Sequence, residues 1–462
     1  MNQEKSVLKP KTIEALLLII VMLGGISFSI IKLEAVPHIP IVMAIFLLLT
    51  YGLLKKVSIK ELENGMIEGA KSGLGAVMLF FFIGMLISSW MASGTIPTFI
   101  YYALGIVNGD YFYSVVFLVT AVVGVSIGSS LTTAATIGVA FISVSTALGF
   151  SLPITAGAII SGAFFGDKMS PLSDTTNLAS QVVHVDLFEH IKNMMWTTIP
   201  AFIISFILFV VLSPAEAVVN IDKISELKNT LNRLGLVHIY SLIPFIILSF
   251  LAIKRVSAMV TLSFGIISSL LLAFFVQKDF TLQAMMKLLF SGYEIQSGSE
   301  EIDSLLGRGG MESMMFSISL VLLALAFGGL LFKLGIIPVL LSAIAGFLYK
   351  VPILIFSTVM TAIGINFLVG EQYLSILLTG STLEQSFRKK GLHLKNLSRI
   401  LEDAGTVINP LVPWGVCGIF LTGVLGVSTV EYLPFTFFCL LSPVITLLFG
   451  ITGFTISKNT QK

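Results

Sequence analysis

The most constraining feature of this sequence is a long stretch with almost no charge. From Ser72 to Gly166, a run of 95 residues, the only formal charge is Asp110. A helix needs about 20 apolar residues to cross a bilayer core, so this stretch alone has room for about four membrane elements. Of all 462 residues, 56% are hydrophobic and 11% charged, whereas a soluble domain is about 25% charged. The sequence therefore predicts an integral membrane protein and excludes a soluble enzyme, a nucleic-acid-binding protein and a disordered chain.

Composition and missing motifs narrow the function further. The two cysteines, Cys417 and Cys439, lie far apart in apolar stretches, which excludes a disulfide scaffold and a cysteine-based metal site. The sequence contains neither a His-Glu-x-x-His metalloprotease motif nor a nucleotide-binding P-loop, so we expect neither an intramembrane metalloprotease nor an ATP-driven pump. The net charge of +2 implies no polyanionic partner. We expect a chain that is not an enzyme, has no cofactor, binds no nucleic acid, contacts membrane lipid and is free to form a homo-oligomer.

Apolar runs predict an all-α polytopic membrane protein with about 11–14 membrane helices, some of them interrupted. The first run is followed by Lys32 and Glu34 rather than by a signal-peptide cleavage site, so we interpret it as a retained helix. The remaining runs have the length of a membrane helix or of half of one. The predicted helices are 13–31, 36–54, 74–93, 112–148, 153–166, 194–213, 238–252, 256–276, 311–332, 351–369, 410–427 and 431–456, with shorter pieces at 96–107 and 336–348.

The run 112–148 is too long for one crossing and too short for two comfortable ones. Its centre, 126–136, is rich in Gly, Ser and Thr and contains Thr132 and Thr133, whose hydroxyls are candidate ion ligands. One explanation is a helix interrupted inside the membrane, because irregular backbone is tolerated there when it is buried in protein or lines a wet cavity. The other explanation is two short helices joined by a tight polar turn.

Two short matches predict an internal repeat. Gly-Thr-Ile-Pro at 94–97 resembles Gly-Ile-Ile-Pro at 335–338, which lies 241 residues later, and the Gly, Pro and Leu of 166–172 recur in 405–411 at an offset of 239. The segment before the first unit is rich in lysine, whereas the segment before the second contains acids, which favours an inverted repeat. Secondary transporters are often built this way, with the substrate near the membrane midplane at paired interrupted helices.

The repeat defines the expected organisation of the chain. We expect an N-terminal helix at 1–35, a first repeat at 36–213, a linker at 214–236, a second repeat at 237–457 and a tail at 458–462. The lysine-rich segment 55–71 and the basic segment 388–399, interpreted as a loop, should face the cytoplasm. We expect the N-terminus on the same side. The segment 278–310 has an acidic centre that includes Glu300 and Glu301, so it does not indicate a cytoplasmic position.

The chemistry concentrates directly after the charge-free stretch, in residues 162–177. Two carboxylates, Asp167 and Asp174, flank Pro171, which breaks helix continuity and frees backbone carbonyls. Oxygen ligands of this kind suit a hard cation such as sodium, and a carboxylate in a low dielectric can also hold a proton near neutral pH. We therefore predict that Asp167 and Asp174 bind the transported sodium ion in competition with protons. The other candidate ligands in this segment are Ser170, Ser173, Thr175, Thr176 and Asn177.

The same segment has a purely structural interpretation. It can be a polar loop in which Asp167 pairs with Lys168 and the hydroxyl groups cap helix ends. We favour the ion site because the carboxylates follow 95 residues with a single charge.

The corresponding place in the second repeat adds further candidates. Glu402 and Asp403 stand just before the matched Gly and Pro, and Asn409 falls where Ser170 does. At the end of an earlier apolar run, Asn366 and Glu371 add an amide and a carboxylate. We include Asp403, Asn409, Asn366 and Glu371 in the predicted site. The structural alternatives are that Glu371 is a solvated loop residue and that Asp403 pairs with Arg399.

Two long motifs in this chain resemble signatures of a known family. Phe-Gly-Asp-Lys-Met-Ser-Pro-Leu-Ser-Asp-Thr-Thr-Asn-Leu at 165–178 and Glu-Asp-Ala-Gly-Thr-Val-Ile-Asn-Pro-Leu-Val-Pro-Trp-Gly at 402–415 are similar to the two signatures of the NhaC-type sodium/proton antiporters of bacteria. The resemblance covers nearly the whole chain. It implies inverted repeats related to the ion transporter superfamily, and sodium efflux across the bacterial inner membrane driven by proton entry. It also supports Asp167, Asp174, Thr175 and Thr176 as ion-site positions.

The same signatures leave a second substrate class open. Relatives that carry them exchange malate for lactate together with sodium and protons. An organic anion usually needs a basic partner or the N-terminal end of a half-helix. No Arg lies inside a predicted span, and Lys168 and Lys333 are the nearest basic residues. This modestly favours Na⁺ and H⁺ as the only transported ions, carried by alternating access at a site formed by 126–136, 166–177, 366–371 and 403–410.

Overall fold

The chain is helical throughout its described part. The computed structural model describes residues 6–106, 111–214, 221–277, 280–295, 297, 298, 303, 306–345 and 350–458. Within these ranges the only β-structure is one isolated bridge between Leu392 and Lys458. The all-α polytopic fold is thus confirmed. Asp110, Glu300 and Glu301 lie outside the described residues, as do 215–220 of the predicted linker and 459–462 of the tail.

Seven described helices are long and apolar enough to cross a membrane, and nine spans result if each of two bent helix pairs counts as one. Three shorter apolar helices of 10–17 residues accompany them. The chain is therefore a multi-pass membrane protein. The helices of the first part are α1 (Thr12–Lys32), α2 (His38–Leu54), α3 (Ile59–Ser72), α4 (Leu74–Ala92), α5 (Thr95–Ile106), α6 (Phe112–Ile127), α7 (Ser130–Leu148), α8 (Leu152–Met169), α9 (Asp174–Val182), α10 (Leu187–Leu212) and α11 (Ile221–Arg233).

The second part of the chain continues in the same manner. Its helices are α12 (Ile239–Ile253), α13 (Ala258–Val276), α14 (Leu282–Ser291), α15 (Glu312–Lys333), α16 (Ile336–Ala345), α17 (Val351–Val369), α18 (Gln372–Lys389), α19 (Lys395–Leu411), α20 (Val416–Leu425), α21 (Thr429–Phe435) and α22 (Phe437–Thr452). The bent pairs are α19 with α20, at 46°, and α21 with α22, at 59°.

The predicted helices and the observed helices differ where polar side chains occur inside a helix. The run 351–369 matches α17 at both ends. By contrast, α10 begins at Leu187, because its first two turns are polar and do not register as an apolar run. The prediction of one helix over 410–427 is wrong: α19 ends at Leu411 and α20 begins at Val416, and Pro413 between them cannot continue the helical hydrogen bonding.

The basic segment 388–399 is also not a loop throughout. Arg388 and Lys389 end α18, and Lys395 already begins α19. Arg399 lies outside every predicted span but is 1% exposed within α19, one half of a bent helix pair that can span a membrane. The segment 388–399 is rich in charged residues, so hydropathy alone does not detect that α19 already begins at Lys395.

The run 112–148 forms two helices that are separated by a very short break. The chain leaves the helical conformation at Gly128 and Ser129, between α6 and α7. Gly128 takes a left-handed conformation (φ 71°), which glycine adopts without strain, and the Ser129 side chain caps α7 by accepting a hydrogen bond from Thr132 N. The rest of the 126–136 segment is helical and leads into a π turn at Ala134–Gly138.

The second part of the chain contains the same kind of break. Gly370 is left-handed (φ 74°) at the end of α17, and the Glu371 side chain caps α18 by accepting a hydrogen bond from Leu374 N. The succession of helices and breaks from α4 to α9 resembles that from α15 to α20. Left-handed glycines also occur at equivalent places, with Gly94 between α4 and α5 and Gly335 between α15 and α16. A second π turn, Leu401–Thr406, lies in α19.

Helices α6 and α8 approach each other so closely that only glycine fits between them. A Cβ atom added to Gly166 of α8 would lie 2.5 Å from the backbone of Gly124 in α6. Small residues at such crossings allow helices in membranes to pack backbone against backbone. This contact holds the end of α8, and therefore Asp167, next to the break between α6 and α7.

We predict that Gly166→Ala lowers the thermal stability of the purified protein. The added methyl group would collide with backbone that cannot move aside, at a cost of about 1–3 kcal/mol. The matched control is Gly25→Ala in α1, where nothing lies within 4 Å of the added Cβ; there, the better helix propensity of alanine should leave stability unchanged or raise it. Melting temperatures from detergent-solubilised protein would measure both, and equal values for the two variants would contradict the close packing.

Candidate ion-binding site

A buried ion pair joins the two parts of the chain. Lys168, near the end of α8, donates from Nζ to Oδ1 of Asp403, which lies in the π turn of α19. Both side chains are 0% exposed. Thr197 of α10 donates to Oδ2 of Asp403 at 2.9 Å, and Thr446 of α22 donates to the same oxygen. Four helices therefore meet at one carboxylate.

This pairing replaces two of the structural alternatives raised by the sequence. Lys168 does not pair with its neighbour Asp167, and Asp403 does not pair with Arg399. Arg399 instead donates from Nη1 to Oγ1 of Thr455 at 3.0 Å.

Asp167 stands directly beside this ion pair. Its side chain is 5% exposed, and Ser130 at the start of α7 donates from Oγ to Oδ2 of Asp167 at 2.7 Å. Ser130 can reach it because the break at Gly128 and Ser129 ends α6 and directs the start of α7 towards α8. A buried carboxylate with a neutral donor can hold either a proton or a cation.

Most other polar groups of 162–177 hold the turn between α8 and α9. The Oγ atom of Ser173 accepts from Thr176 N and caps α9, and it hydrogen-bonds Thr175 Oγ1 at 3.0 Å. The amide of Asn177 donates to Ser173 O at 2.7 Å, and Ser170 Oγ accepts from Leu172 N. Thr176 Oγ1 donates to Lys168 O at 3.2 Å. These contacts fix the carboxylates of the segment in position.

Asp174 differs from Asp167 in its surroundings. It is the first residue of α9 and its side chain is exposed. Asp167, Asp174 and Glu371 nevertheless all lie within electrostatic range of Tyr373. The acids of the first motif and Glu371 of the second part therefore lie in the same region of the molecule. Glu371 is half-buried in its capping position, so it is not a freely solvated loop residue.

Asn366 and Asn409 form a chain of amides across the second part. Asn409 donates from Nδ2 to Oδ1 of Asn366 at 2.9 Å, and its own Oδ1 accepts from Cys417 N at the start of α20. Asn366 in turn donates to Gly405 O at 2.7 Å. The two amides therefore connect α17 to both sides of the break after Leu411.

The predicted ligands Thr132 and Thr133 are engaged at the start of α7. Thr133 donates to Ser129 O at 2.8 Å, and Thr132 Oγ1 accepts from Ser129 Oγ.

Several residues of the site were not among the predicted ligands. Glu402 is 0% exposed, and neither of its carboxylate oxygens has a hydrogen-bond partner in the described part of the chain. Its position beside Asp403 in an otherwise apolar run was a signal that the sequence offered. Ser130 lies in the Ser- and Thr-rich segment, whereas Thr197 and Thr446 lie in apolar helices where no motif marks them. Among the described residues, no group of three or more His, Cys, Asp or Glu forms a metal site.

Comparison with known proteins finds one matching family and several similar full-length proteins. The family described as "Na+/H+ antiporter family" matches residues 162–454. The chain is 41% identical over 444 residues to the Na(+)/H(+) antiporter NhaC of Alkalihalophilus pseudofirmus, with 96% of each chain covered. It is 41% identical to NhaC of Bacillus subtilis, covering 94% of this chain and 96% of that one. It is 34% identical to the malate-2H(+)/Na(+)-lactate antiporter of Bacillus subtilis, with 96% and 97% covered.

We predict that Lys168→Met lowers thermal stability strongly and that adding Asp403→Asn restores part of the loss. Removing one partner of a buried ion pair leaves an uncompensated charge, which costs about 3–5 kcal/mol, whereas removing both charges costs far less. Melting temperatures of the two single variants and the double variant form a double-mutant cycle. A double variant whose loss equals the sum of the single losses would show that the two side chains do not interact.

Proposed function

The protein belongs to the Na+/H+ antiporter family, and from this premise we propose that it expels sodium in exchange for protons by alternating access. The observation that supports the proposal best is the buried carboxylate of Asp167, next to a helix break, in a chain 41% identical to two proteins named Na(+)/H(+) antiporter NhaC. Its homologues are transporters, and we assign no chemical catalysis to this chain.

In this proposal Asp167 binds sodium or a proton, but not both at once. A sodium ion needs several oxygen ligands, and the hydroxyl of Ser130 lies 2.7 Å from Oδ2 of Asp167. The inward proton gradient drives outward sodium, because protonation of Asp167 on one side releases the cation there. Asp174, exposed at the start of α9, attracts cations towards the site.

We further propose that the chain is built from two transporter repeats, at 36–213 and 237–457, that move relative to each other. The matching order of α4–α9 and α15–α20, and the paired breaks at Gly128 and Gly370, support this organisation. Broken helices at equivalent positions of two halves are typical of secondary transporters. The lysine-rich segment 55–71 supports a cytoplasmic N-terminus in a bacterial cell membrane.

Exchange of carboxylates is the less favoured alternative. Identity to the malate-2H(+)/Na(+)-lactate antiporter is 34%, below the 41% to both NhaC proteins. The basic groups at the site are also engaged, since Lys168 pairs with Asp403 and Arg399 donates to Thr455. A bound organic acid would have to displace one of these contacts.

We predict that Asp167→Asn abolishes sodium-dependent proton movement in everted membrane vesicles. An amide can neither release a proton nor neutralise a cation, so dequenching of a pH-sensitive dye on sodium addition should fall roughly tenfold or more. Asp174→Asn should raise the half-saturating sodium concentration and keep most of the maximal rate, because the residue acts by attraction from an exposed position.

The matched control is Asp186→Asn. Asp186 is exposed and caps α10 by accepting from Phe188 N and Glu189 N, and an asparagine keeps the capping oxygen. This variant should exchange at the wild-type rate. Full activity of Asp167→Asn would show that the ion site lies elsewhere. Wild-type exchange that occurs only after malate or lactate is added would refute the sodium/proton proposal in favour of the carboxylate exchanger.

A further inference from the structure

The carboxylate of Glu402 has no role in the contacts described so far. It is 0% exposed, and both Oε1 and Oε2 lack hydrogen-bond partners within the described residues. The hydroxyl of Thr406 lies close enough to interact with this carboxylate, but the contact falls short of a full hydrogen bond. Buried polar groups are almost always satisfied, and an ionised carboxylate without a partner is very unfavourable in a low dielectric. Glu402 must therefore hold a proton or a cation.

The backbone around Glu402 explains how two adjacent acids reach different surroundings. The π turn Leu401–Thr406 inserts extra backbone into α19, and its widened register is visible in the hydrogen bond from Val407 N to Glu402 O at 3.3 Å. Asp403 faces Lys168, whereas the side chain of Glu402 is left without a partner. Such π turns occur frequently at functional sites.

The charges around Glu402 leave room for one more cation. Those that interact with it are Asp167 and Lys168 on α8 and Asp403 on its own helix. The ammonium group of Lys168 is already bound to Asp403, which leaves Asp167 and Glu402 as two acids within electrostatic range of each other.

The other helices packed against this π turn do not change the charge balance beside Glu402. Helices α17 and α22 carry no Asp, Glu, Lys or Arg. Helix α9 adds only the exposed Asp174, and the charged residues of α18 are Glu384, Arg388 and Lys389 near its end. On α19 itself, Lys395 binds Glu189 and Arg399 donates to Thr455.

We propose that Glu402 is the second carboxylate of the ion site and that it shares a dehydrated sodium ion with Asp167. This inference rests on the proposed sodium/proton exchange and names a second residue that carries a proton in it. When sodium is absent, Glu402 holds a proton. When sodium arrives, that proton leaves for water and Oε1 or Oε2 becomes a ligand, with Thr406 Oγ1 as a further oxygen donor. Because Asp167 gives up its own proton as well, two protons leave for each sodium ion that binds.

The first test counts the protons that sodium displaces. Purified full-length protein in detergent is placed in a weakly buffered solution with a pH dye, sodium chloride is added, and bound sodium is measured with radioactive ²²Na⁺. Because the Glu402→Gln amide cannot release a proton, this variant should release about one proton fewer per protein than the wild type at saturating sodium. The same number of released protons in both proteins would overturn the proposal.

Two further variants make this comparison specific. Glu312→Gln changes the same side chain at an exposed position in the first turn of α15, and it should behave like the wild type. Glu402→Asp keeps a titratable carboxylate and should restore the lost proton. If Glu402→Asp were indistinguishable from Glu402→Gln, with both proteins folded, a role for the carboxylate would be refuted.

The second test needs no variant and applies even if Glu402→Gln fails to fold. Dicyclohexylcarbodiimide is an apolar reagent that modifies protonated carboxyl groups within membranes, and mass spectrometry of peptides locates the modified residue. We expect modification of Glu402 in wild-type protein that sodium slows and potassium chloride at equal ionic strength does not. Modification that is absent at Glu402, or indifferent to sodium, would overturn the proposal.

Vesicle assays separate this inference from the function on which it rests. If the wild type itself moves no protons on sodium addition, the proposed exchange is wrong. If the wild type exchanges and Glu402→Gln exchanges at the same rate, the exchange stands and only the role of Glu402 is wrong.

Discussion

The arrangement of the site depends on the buried ion pair between Lys168 and Asp403. The two residues are 235 positions apart and both are inaccessible to solvent. Burying two charges is unfavourable unless their geometry is good and their remaining polar atoms are satisfied. Thr197 and Thr446 satisfy Asp403, so α8, α10, α19 and α22 are held in one arrangement around it. The residues just before the pair, Asp167 and Glu402, are placed between the same helices as a consequence.

Helix breaks provide the second constraint. After α6 and α17, a left-handed glycine (Gly128 or Gly370) ends the helix, and a side chain of the following residue caps the next helix by accepting a backbone hydrogen bond. The first break brings Ser130 to Asp167, and the second brings Glu371 near the same centre. Because irregular backbone survives at membrane depth only when protein or water surrounds it, these breaks and the polar centre depend on each other.

Sequence reasoning succeeded where a property is local. Apolar runs predicted the all-α polytopic fold, and α17 coincided with its predicted range. It failed at α10 and α19, whose first turns are polar: His190 and Asn193 of α10 hydrogen-bond Ser398 and Lys395 of α19. For Asp167 and Asp403, each structural alternative paired an acid with a base close by in sequence. The observed partner of Lys168 comes from the other part of the chain, and no local pattern indicates it.

The sequence by itself determined that this is a polytopic membrane protein, that its scarce acids concentrate in two motifs, and that these motifs resemble those of sodium/proton antiporters. Only the tertiary structure decided that Lys168 neutralises Asp403, that Ser130 donates a hydrogen bond to Asp167 and that the Glu402 carboxylate is buried without a full hydrogen bond. The reason is physical. Hydropathy and helix-breaking residues act over a few neighbouring positions, whereas the electrostatic energy of a buried charge depends on every group that the fold brings within a few ångströms of it.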